Sequence, residues 1–366
     1  MVMGRRQGFT RILVCLLWVV ACCGFLNTSR WAVAADKHPA FTDADSAGPD
    51  FAVQGEYIGH VGQQGFTLAV AAQVIALGNG KFEGVLYKGG LPGAGWDEKF
   101  RFHFKGETKD GITHAVGIHG EKLAFENPNL KATIQEGVMR GEALMFRNEL
   151  PDTAFELKKI FRQSPTLGIK PPAGAIVLFD GSNTDEWVDG KIVENNLLDV
   201  GTQTKRQFNS HRVHLEFRTP FMPAAAGMSR GNSGVYIRKK WEIQVLDSFA
   251  WNSENRKFER LADFGCCGGI HEMVKPRLNM CLPPLSWQTY DIDFEAPKKD
   301  AAGKVLTPAM LTVHHNGICI HDRVVLAPYG PGEDSEAESF GKPGPLFLQQ
   351  HGNPVRFRNI WAIVTD

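Results

Sequence analysis

Side chains that could do chemistry are concentrated in the segment 230–248 of this chain. Residues 241–246 alternate between polar and apolar types, a pattern typical of a strand with one buried face. The polar face carries Glu242 and Gln244, and charged or amide groups in such a row are costly to bury unless they are solvated or used. A carboxylate in this position can act as a general base or acid, so Glu242 is the first catalytic candidate.

A second candidate strand precedes the first one. Residues 234–238 place Tyr236 and Arg238 on one face and two apolar residues on the other. If the two strands pair, both side chains lie beside Glu242 and Gln244 in one cleft. An aromatic ring, a guanidinium, an amide and a carboxylate together are typical of a surface that binds a sugar. The segment therefore predicts a carbohydrate site.

Three more polar side chains are candidates for the same site. Gln349 and His351 alternate on a late strand and can share a face, and Asn232 precedes the Ser-Gly pair of the first motif. A single histidine is more often a hydrogen-bonded structural residue, and an asparagine before Ser-Gly could instead shape a turn. The predicted substrate-binding set is Asn232, Tyr236, Arg238, Gln244, Gln349 and His351.

Asp247 is the second catalytic candidate. Two carboxylates that cleave a glycosidic bond stand about 5–5.5 Å or about 6.5–9.5 Å apart, depending on the stereochemical course. Glu242 and Asp247 are five residues apart, and five residues of regular strand span about 16 Å. They also face opposite sides of a strand unless a bulge intervenes. A paired mechanism therefore requires a bulge, and the alternative is that Asp247 caps a turn with Ser248.

The beginning of the chain predicts export. Three arginines precede the apolar run Ile12–Val20, and Ala-Val-Ala at 32–34 is a small-residue cleavage pattern, so we expect a signal peptide over 1–34. A competing lipobox ends at Cys22, whose lipidation would anchor the chain to a membrane. The expected location is periplasmic or extracellular, and contact with a membrane is expected only through Cys22.

Charge and length limit the class of protein. The chain has 366 residues, with 40 basic and 40 acidic side chains, and loss of residues 1–34 would leave a small acidic excess. This balance argues against nucleic acid as a partner, because nucleic-acid binding requires a basic surface. The length is sufficient for two domains of ordinary size.

Short β-like segments separated by Gly, Asn, Asp and Pro run through the chain, and long helical periodicity is scarce. An Asn-Gly pair at 316–317 is a strong hairpin signal. We predict an all-β protein in which a smaller β-rich domain precedes a sandwich or jelly roll. The predicted order is a signal peptide (1–34), a flexible lead-in (35–50), the β-rich domain (51–163), a linker rich in Pro and Gly (164–174) and the jelly-roll domain (175–366).

The last of these segments carries seven blocks in a specific order. They are LFDGSNTDEW (178–187), HLEFRTP (214–220), RGNSGVYIR (230–238), WEIQVLDS (241–248), PPLSWQTYDIDFEAP (283–297), VHHNGICIHD (313–322) and LQQHGNPVRFRNIW (348–361). Together the blocks resemble the 3-keto-disaccharide hydrolase domain. The resemblance implies a concanavalin-A-like jelly roll, common in secreted bacterial proteins, and an oligosaccharide or oxidised glycoside as the partner.

The resemblance also suggests a reaction. A ketone at C3 of a sugar acidifies the hydrogen at C2, so a base can remove it and the C1 oxygen can leave by elimination, after which water adds back. Glu242 suits the base, and Arg238 or His351 could stabilise the enolate. Direct hydrolysis by Glu242 and Asp247 is the competing reaction. The alternatives from other classes are a non-catalytic carbohydrate-binding module and a cell-surface scaffold.

No cofactor is predicted, and no set of metal ligands is apparent. The jelly-roll fold often carries a structural calcium, but no acidic loop in this sequence has the ligand spacing of a calcium site.

The cysteines of an exported chain could form a disulfide. The loop between Cys267 and Cys281 would close over about 15 residues, which corresponds to about 3 kcal/mol in the chain-entropy model. We predict this bridge, with Cys266–Cys281 as the alternative, and a buried free thiol at Cys319.

Overall fold

The computed structural model describes residues 38–63, 66–118, 130–143, 153–250, 265–328 and 341–366. The predicted signal peptide (1–34) and the lipobox cysteine Cys22 lie outside these ranges. Among the described residues, no helix is both long and apolar enough to cross a membrane.

Eight antiparallel strands close into a barrel, preceded by a short helix, α1 (Pro49–Val53). The strands are β1 (Gly55–Gln63), β2 (Phe66–Gly78), β3 (Lys81–Lys88), β4 (Arg101–Lys109), β5 (Ile112–Gly117), β6 (Lys131–Gln135), β7 (Val138–Ala143) and β8 (Thr153–Ile160). Each strand pairs with the next, and β8 pairs with β1. Alternating side chains such as Tyr57, Phe82, Phe104 and Leu157 fill an apolar interior.

Closure of the barrel depends on a glycine in β1. A Cβ on Gly59 would clash with the carbonyl oxygen of Glu156 in β8, so the two strands can approach closely only because the side chain is absent. The glycines of β1 also weaken its strand pattern in the sequence, because glycine is a poor strand former.

Two sheets form a sandwich after the barrel. The short strands come first: β9 (Ile176–Phe179), β10 (Trp187–Val188), β11 (Ile192–Val193), β12 (Leu197–Leu198) and β13 (Thr202–Thr204). The remaining strands are β14 (His211–Arg218), β15 (Ser233–Ile237), β16 (Trp241–Val245), β17 (Gln288–Glu295), β18 (Lys298–Lys299), β19 (Val305–Thr307), β20 (Met310–His315), β21 (Ile318–Val325), β22 (Phe347–Leu348) and β23 (Arg356–Val364). The pairs β15–β16, β18–β19 and β20–β21 form hairpins. A single 3-10 turn, Gly227–Ser229, lies between β14 and β15.

The first sheet has the order β10-β13-β22-β15-β16, and the second has the order β11-β12-β23-β14-β17-β20-β21 with β9 beside β23. Large aromatic and β-branched side chains from both sheets are buried between them, including Trp241, Ile243, Phe217 and Phe294. This architecture confirms the predicted all-β class, with a jelly-roll sandwich preceded by a smaller β-rich domain.

Barrel and sandwich belong to one compact unit, Ala35–Asp366. Phe221, which follows β14, is fully buried in the apolar cluster of the barrel and lies 5.2 Å from Phe51 of α1, between ring centroids. Its backbone also exchanges two hydrogen bonds with Phe41. The predicted lead-in (35–50) is therefore held in place at Phe41. Its partner, Phe221, is distant in the sequence, so the sequence pattern does not reveal this contact.

The predicted linker (164–174) is hydrogen-bonded to the second sheet in its first half. The Thr166 hydroxyl donates to the Asp291 carboxylate over 2.9 Å, and the Gly168 backbone N–H donates to the Glu216 carboxylate over 2.6 Å. These bonds hold the connection between barrel and sandwich against the sheet face that lies opposite the sandwich core.

Candidate functional site

The outer face of the first sheet carries the polar side chains singled out in the sequence. In the register of β15 and β16, Tyr236 lies opposite Glu242 and Gly234 opposite Gln244. The intervening Val235 and Ile243 are fully buried in the sandwich core, so alternation turns the polar set outward. The structure thus brings Tyr236, Glu242 and Gln244 together on one face of the sheet, where all three side chains are buried.

Glu242 occupies a nearly dry position, with 3% of its surface exposed. The Tyr236 hydroxyl donates to its Oε2 over 2.8 Å, and the Gln349 amide donates to that hydroxyl over 3.1 Å. Burial raises the pKa of Glu242 to about 7, the Tyr236 bond opposes the shift, and the nearby Glu272 carboxylate adds to it. A carboxyl group that titrates near neutral pH can both accept and return a proton, as general acid–base catalysis requires.

The raised pKa of Glu242 predicts a pH-dependent stability difference. Because the folded-state pKa is about 7 against an ordinary value of 4.5, the folded state binds more protons in this window. The free energy of unfolding of the wild type should fall by up to about 3 kcal/mol as the pH rises from the ordinary pKa to the folded-state pKa, and that of Glu242→Gln should not. Urea denaturation of the wild type and of Glu242→Gln at pH 4.5 and pH 8 measures the pH dependence of each protein. The contributions of other titrating groups are common to both proteins and cancel in the comparison. Parallel pH dependences would contradict the shift.

Gly234 provides the space that the Glu242 carboxyl occupies. A Cβ at this position would clash with Oε1 of Glu242. We expect Gly234→Ala to lower kcat/KM roughly a hundredfold, because the displaced Glu242 carboxyl would no longer be in position to react with a substrate. Kinetics on the purified variant, with thermal unfolding as the control for folding, would check this. A folded variant with wild-type kcat/KM would contradict the prediction.

Three amide oxygens at or near this surface are buried without a hydrogen-bond donor: Oε1 of Gln244, Oε1 of Gln349 and Oδ1 of Asn232. Asn232 is otherwise engaged, since its amide nitrogen donates to the Met228 carbonyl over 2.7 Å. A buried acceptor without a donor costs free energy that a ligand hydroxyl can recover. The three predicted binding residues therefore each carry a buried amide oxygen that lacks a hydrogen-bond donor.

His271 is a site residue that the sequence analysis did not select. The loop that carries it runs along β16, and its backbone N–H donates to the Glu242 carbonyl over 3.0 Å. Its ring lies against the Gln244 amide, with 3.4 Å between Nδ1 and Nε2. The side chain is 16% exposed, between protein and solvent. Sequence periodicity gives no signal for this contact, because it depends on where a distant loop lies.

His351 is exposed, and its ring nitrogens act electrostatically on His271. Burial lowers the pKa of His271, Glu272 opposes this effect, and His351 adds to it. The imidazole of His271 is therefore neutral near pH 7. The predicted binding residue His351 lies at the solvent side of the same cluster.

Arg238 lies elsewhere than its alternation predicts. β15 ends at Ile237, and Arg238 has a left-handed backbone conformation with φ of 56°. The turn carries its guanidinium to 5.6 Å from the Phe294 ring centroid and 5.9 Å from that of Trp241, both buried in the sandwich. The structure therefore does not bring Arg238 to the Glu242 carboxyl.

Asp247 also has a different environment from the one predicted. Its carboxylate accepts a bond of 2.6 Å from Arg230, and both side chains are almost fully buried. The same guanidinium donates to the Ala76 carbonyl and the Gln54 side chain of the barrel segment. Asp247 thus joins the sandwich to the barrel, and the Tyr236–Glu242 network does not include it.

The predicted Cys267–Cys281 bridge is corrected by the structure, in which the four cysteines among the described residues are free thiols. The two thiols of the predicted pair interact with each other without a disulfide bond, and each also has a further polar neighbour. Cys267 Sγ lies 3.1 Å from the Tyr290 hydroxyl, and Cys281 Sγ lies 3.4 Å from the Leu246 carbonyl oxygen. Cys319 is half-buried.

Within the part of the chain that the structure describes, no group of three or more His, Cys, Asp or Glu side chains is arranged to hold a metal ion.

Two hollows lie on the barrel, away from Glu242. One, of about 510 Å³, is lined by residues including Arg140 and Glu156, which form an exposed ion pair with each other. The other, of about 420 Å³, lies beside α1 and the hairpin ends of the barrel. Neither hollow is lined by Gln244, Gln349 or Asn232, the residues whose buried amide oxygens lack a hydrogen-bond donor.

Comparison with known proteins agrees with the geometry. The model of a family described as the 3-keto-alpha-glucoside-1,2-lyase-like domain matches residues 174–363, which confirms the family predicted from the seven sequence blocks. No curated protein matches the chain.

Two similar solved structures are proposed glycosyl hydrolases from Parabacteroides distasonis. One is 26% identical, with a TM-score of 0.46, and the match covers 61% of this chain and 95% of that chain. The other is 19% identical, with a TM-score of 0.37, and the match covers 53% of this chain and 94% of that chain.

Proposed function

This chain belongs to the 3-keto-alpha-glucoside-1,2-lyase-like domain family, and we propose that it cleaves the glycosidic bond of 3-keto-glycosides by elimination. The family supports a carbohydrate-active role. The observation that carries the specific reaction is the buried Glu242 carboxyl, which titrates near neutral pH on a sheet face lined with acceptors for hydroxyl groups.

The reaction needs one base at C2 of the sugar. In its ionised form Glu242 takes the C2 proton, and the electron pair of the C–H bond passes into an enolate with the C3 oxygen. The enolate then re-forms the ketone as the C1–O bond breaks, and the leaving oxygen takes up a proton. The products are an alcohol and an enone with a C1=C2 double bond, to which water can add. No second carboxylate is required, in agreement with the position of Asp247.

The first sheet provides a surface for the rest of the glycoside. Register places five outer-face residues in one line across its five strands: Glu242, Tyr236, Phe347, Gln203 and Val188. Neighbouring strands lie about 4.8 Å apart, so this line extends about 19 Å from the base. The ring centroids of Tyr236 and Phe347 are 5.5 Å apart. Aromatic rings along the line suit the apolar face of a pyranose.

The proposal is tested by incubating the purified protein with a 3-keto-glucoside and with the unoxidised glucoside that carries the same leaving group. We expect release of the leaving group from the oxidised substrate alone, since only a C3 ketone acidifies C2. Equal release from both substrates would contradict elimination. Binding without release from either would contradict an enzymatic role.

A further inference from the structure

His271 extends the line of outer-face residues by one position beyond Glu242. Ile270 forms a bridge with Ile243, and Ile270 is fully buried in the sandwich core. The next residue, His271, is hydrogen-bonded through its backbone to Glu242 and by alternation faces outward. Strand spacing places the two residues about 4.8 Å apart in the backbone. The imidazole is therefore positioned beside the base by the sheet itself.

The neighbour of the ring at Nδ1 bears on which nitrogen carries the proton. The Gln244 amide nitrogen lies 3.4 Å from His271 Nδ1, a contact in which the amide donates and Nδ1 accepts when the ring proton is on Nε2. On the other side, a carboxylate oxygen of Glu272 lies 3.9 Å from Nε2, which is too far for a hydrogen bond and leaves Nε2 available to a ligand. The Gln244 contact therefore favours the tautomer that carries the proton of the neutral ring on Nε2.

The proposed elimination requires a hydrogen-bond donor beside the base. An enolate oxygen gains negative charge as the C2 proton leaves, and a preorganised donor lowers that barrier. The amide oxygens of Gln244 and Gln349 are acceptors, which bind hydroxyl groups but not an enolate oxygen. The sequence suggested Arg238 or His351 for this role. Arg238 packs on core aromatic rings instead, and His351 is exposed.

We propose that His271 is a catalytic residue that donates a hydrogen bond from Nε2 to the C3 oxygen of the 3-keto-glycoside. This inference rests on the proposed function. The proton remains on Nε2 throughout, and the bond strengthens as the ketone becomes an enolate. Gln244 acts as a positioning residue, because its amide fixes the tautomer.

Substitutions that move the donor test the role. In His271→Gln the side-chain N–H replaces Nε2, whereas in His271→Asn it replaces Nδ1. We expect His271→Asn and His271→Ala to lose roughly a hundred- to a thousandfold in kcat. His271→Gln should stay within about tenfold of the wild type. Equal losses in the Gln and Asn variants would indicate a structural role and overturn the proposal.

The leaving group separates this role from protonation of the C1 oxygen. We expect the deficit of His271→Ala to be the same for nitrophenyl and methyl 3-keto-glucosides, because the enolate is common to both. A deficit that disappears with nitrophenol, which needs no proton to leave, would make His271 the acid and overturn the proposal.

Nitrogen NMR of the wild-type protein without substrate tests the tautomer independently of catalysis. We expect an Nε2–H signal from His271 that is absent in His271→Gln, and a proton on Nδ1 would overturn the proposal. Failure of the wild type to release any leaving group would overturn the proposed function together with the role of His271. Loss of the Gln-versus-Asn difference alone would overturn only the role of His271.

Discussion

Glu242→Gln is expected to lower kcat roughly a thousandfold, with little change in fold. Glutamine keeps the size of the side chain and an oxygen that can accept the Tyr236 hydroxyl, but it cannot remove a proton. Steady-state kinetics with a 3-keto-glucoside measure the loss, and circular dichroism verifies the fold. A variant with wild-type kcat would show that Glu242 is not the base.

A neighbouring carboxylate supplies the matched control for this variant. Glu272 adjoins the site, but its side chain is 65% exposed, and its effect on Glu242 is electrostatic. We expect Glu272→Gln to change kcat only severalfold. A loss as large as that of Glu242→Gln would indicate that removing either negative charge is sufficient, and it would contradict a specific role of Glu242 as the base.

Asp247→Asn is expected to destabilise the protein by about 3–5 kcal/mol, because it leaves the buried Arg230 guanidinium without its counter-charge. Chemical denaturation measures the free energy of unfolding. The exposed pair Arg140–Glu156 provides the control, and Glu156→Gln should cost no more than about 1 kcal/mol. Equal effects of the two substitutions would contradict the structural role of Asp247.

The same variant separates the two chemical schemes. Elimination predicts that the folded fraction of Asp247→Asn keeps kcat within severalfold of the wild type. A paired-carboxylate hydrolysis predicts a severe loss of kcat in molecules that are fully folded. The second result would place Asp247 in the reaction, against its ion pair with Arg230.

The strands of the candidate site were predictable because their side chains follow a period of two. Alternation within 241–246 and 234–237 predicts which side chains face the sandwich core and which share the opposite face with Tyr236, Glu242 and Gln244, although both faces of these strands are buried. Arg238 departs from the pattern because the strand ends one residue earlier and the backbone turns into the left-handed region. Alternation predicts a face only as far as the strand continues.

The barrel was predicted only as a β-rich segment. Its first strand contains three glycines, which depress strand propensity, and Gly59 is required because β8 approaches there. Closure joins β1 to β8 across about a hundred residues of sequence, and no local pattern contains that information. The same reason applies to His271, whose contact with Gln244 is set by the path of a loop, and to the anchoring of Phe41 by Phe221.

The proposed elimination depends on removal of the C2 hydrogen of a 3-keto-glycoside by Glu242. NMR of the sugar product formed in deuterated water follows the fate of that hydrogen. We expect the wild type to release a product that has lost its original C2 hydrogen, beyond the exchange seen without protein. Glu242→Gln should show no loss above that background. A sugar product released by the wild type with its C2 hydrogen fully retained would contradict elimination.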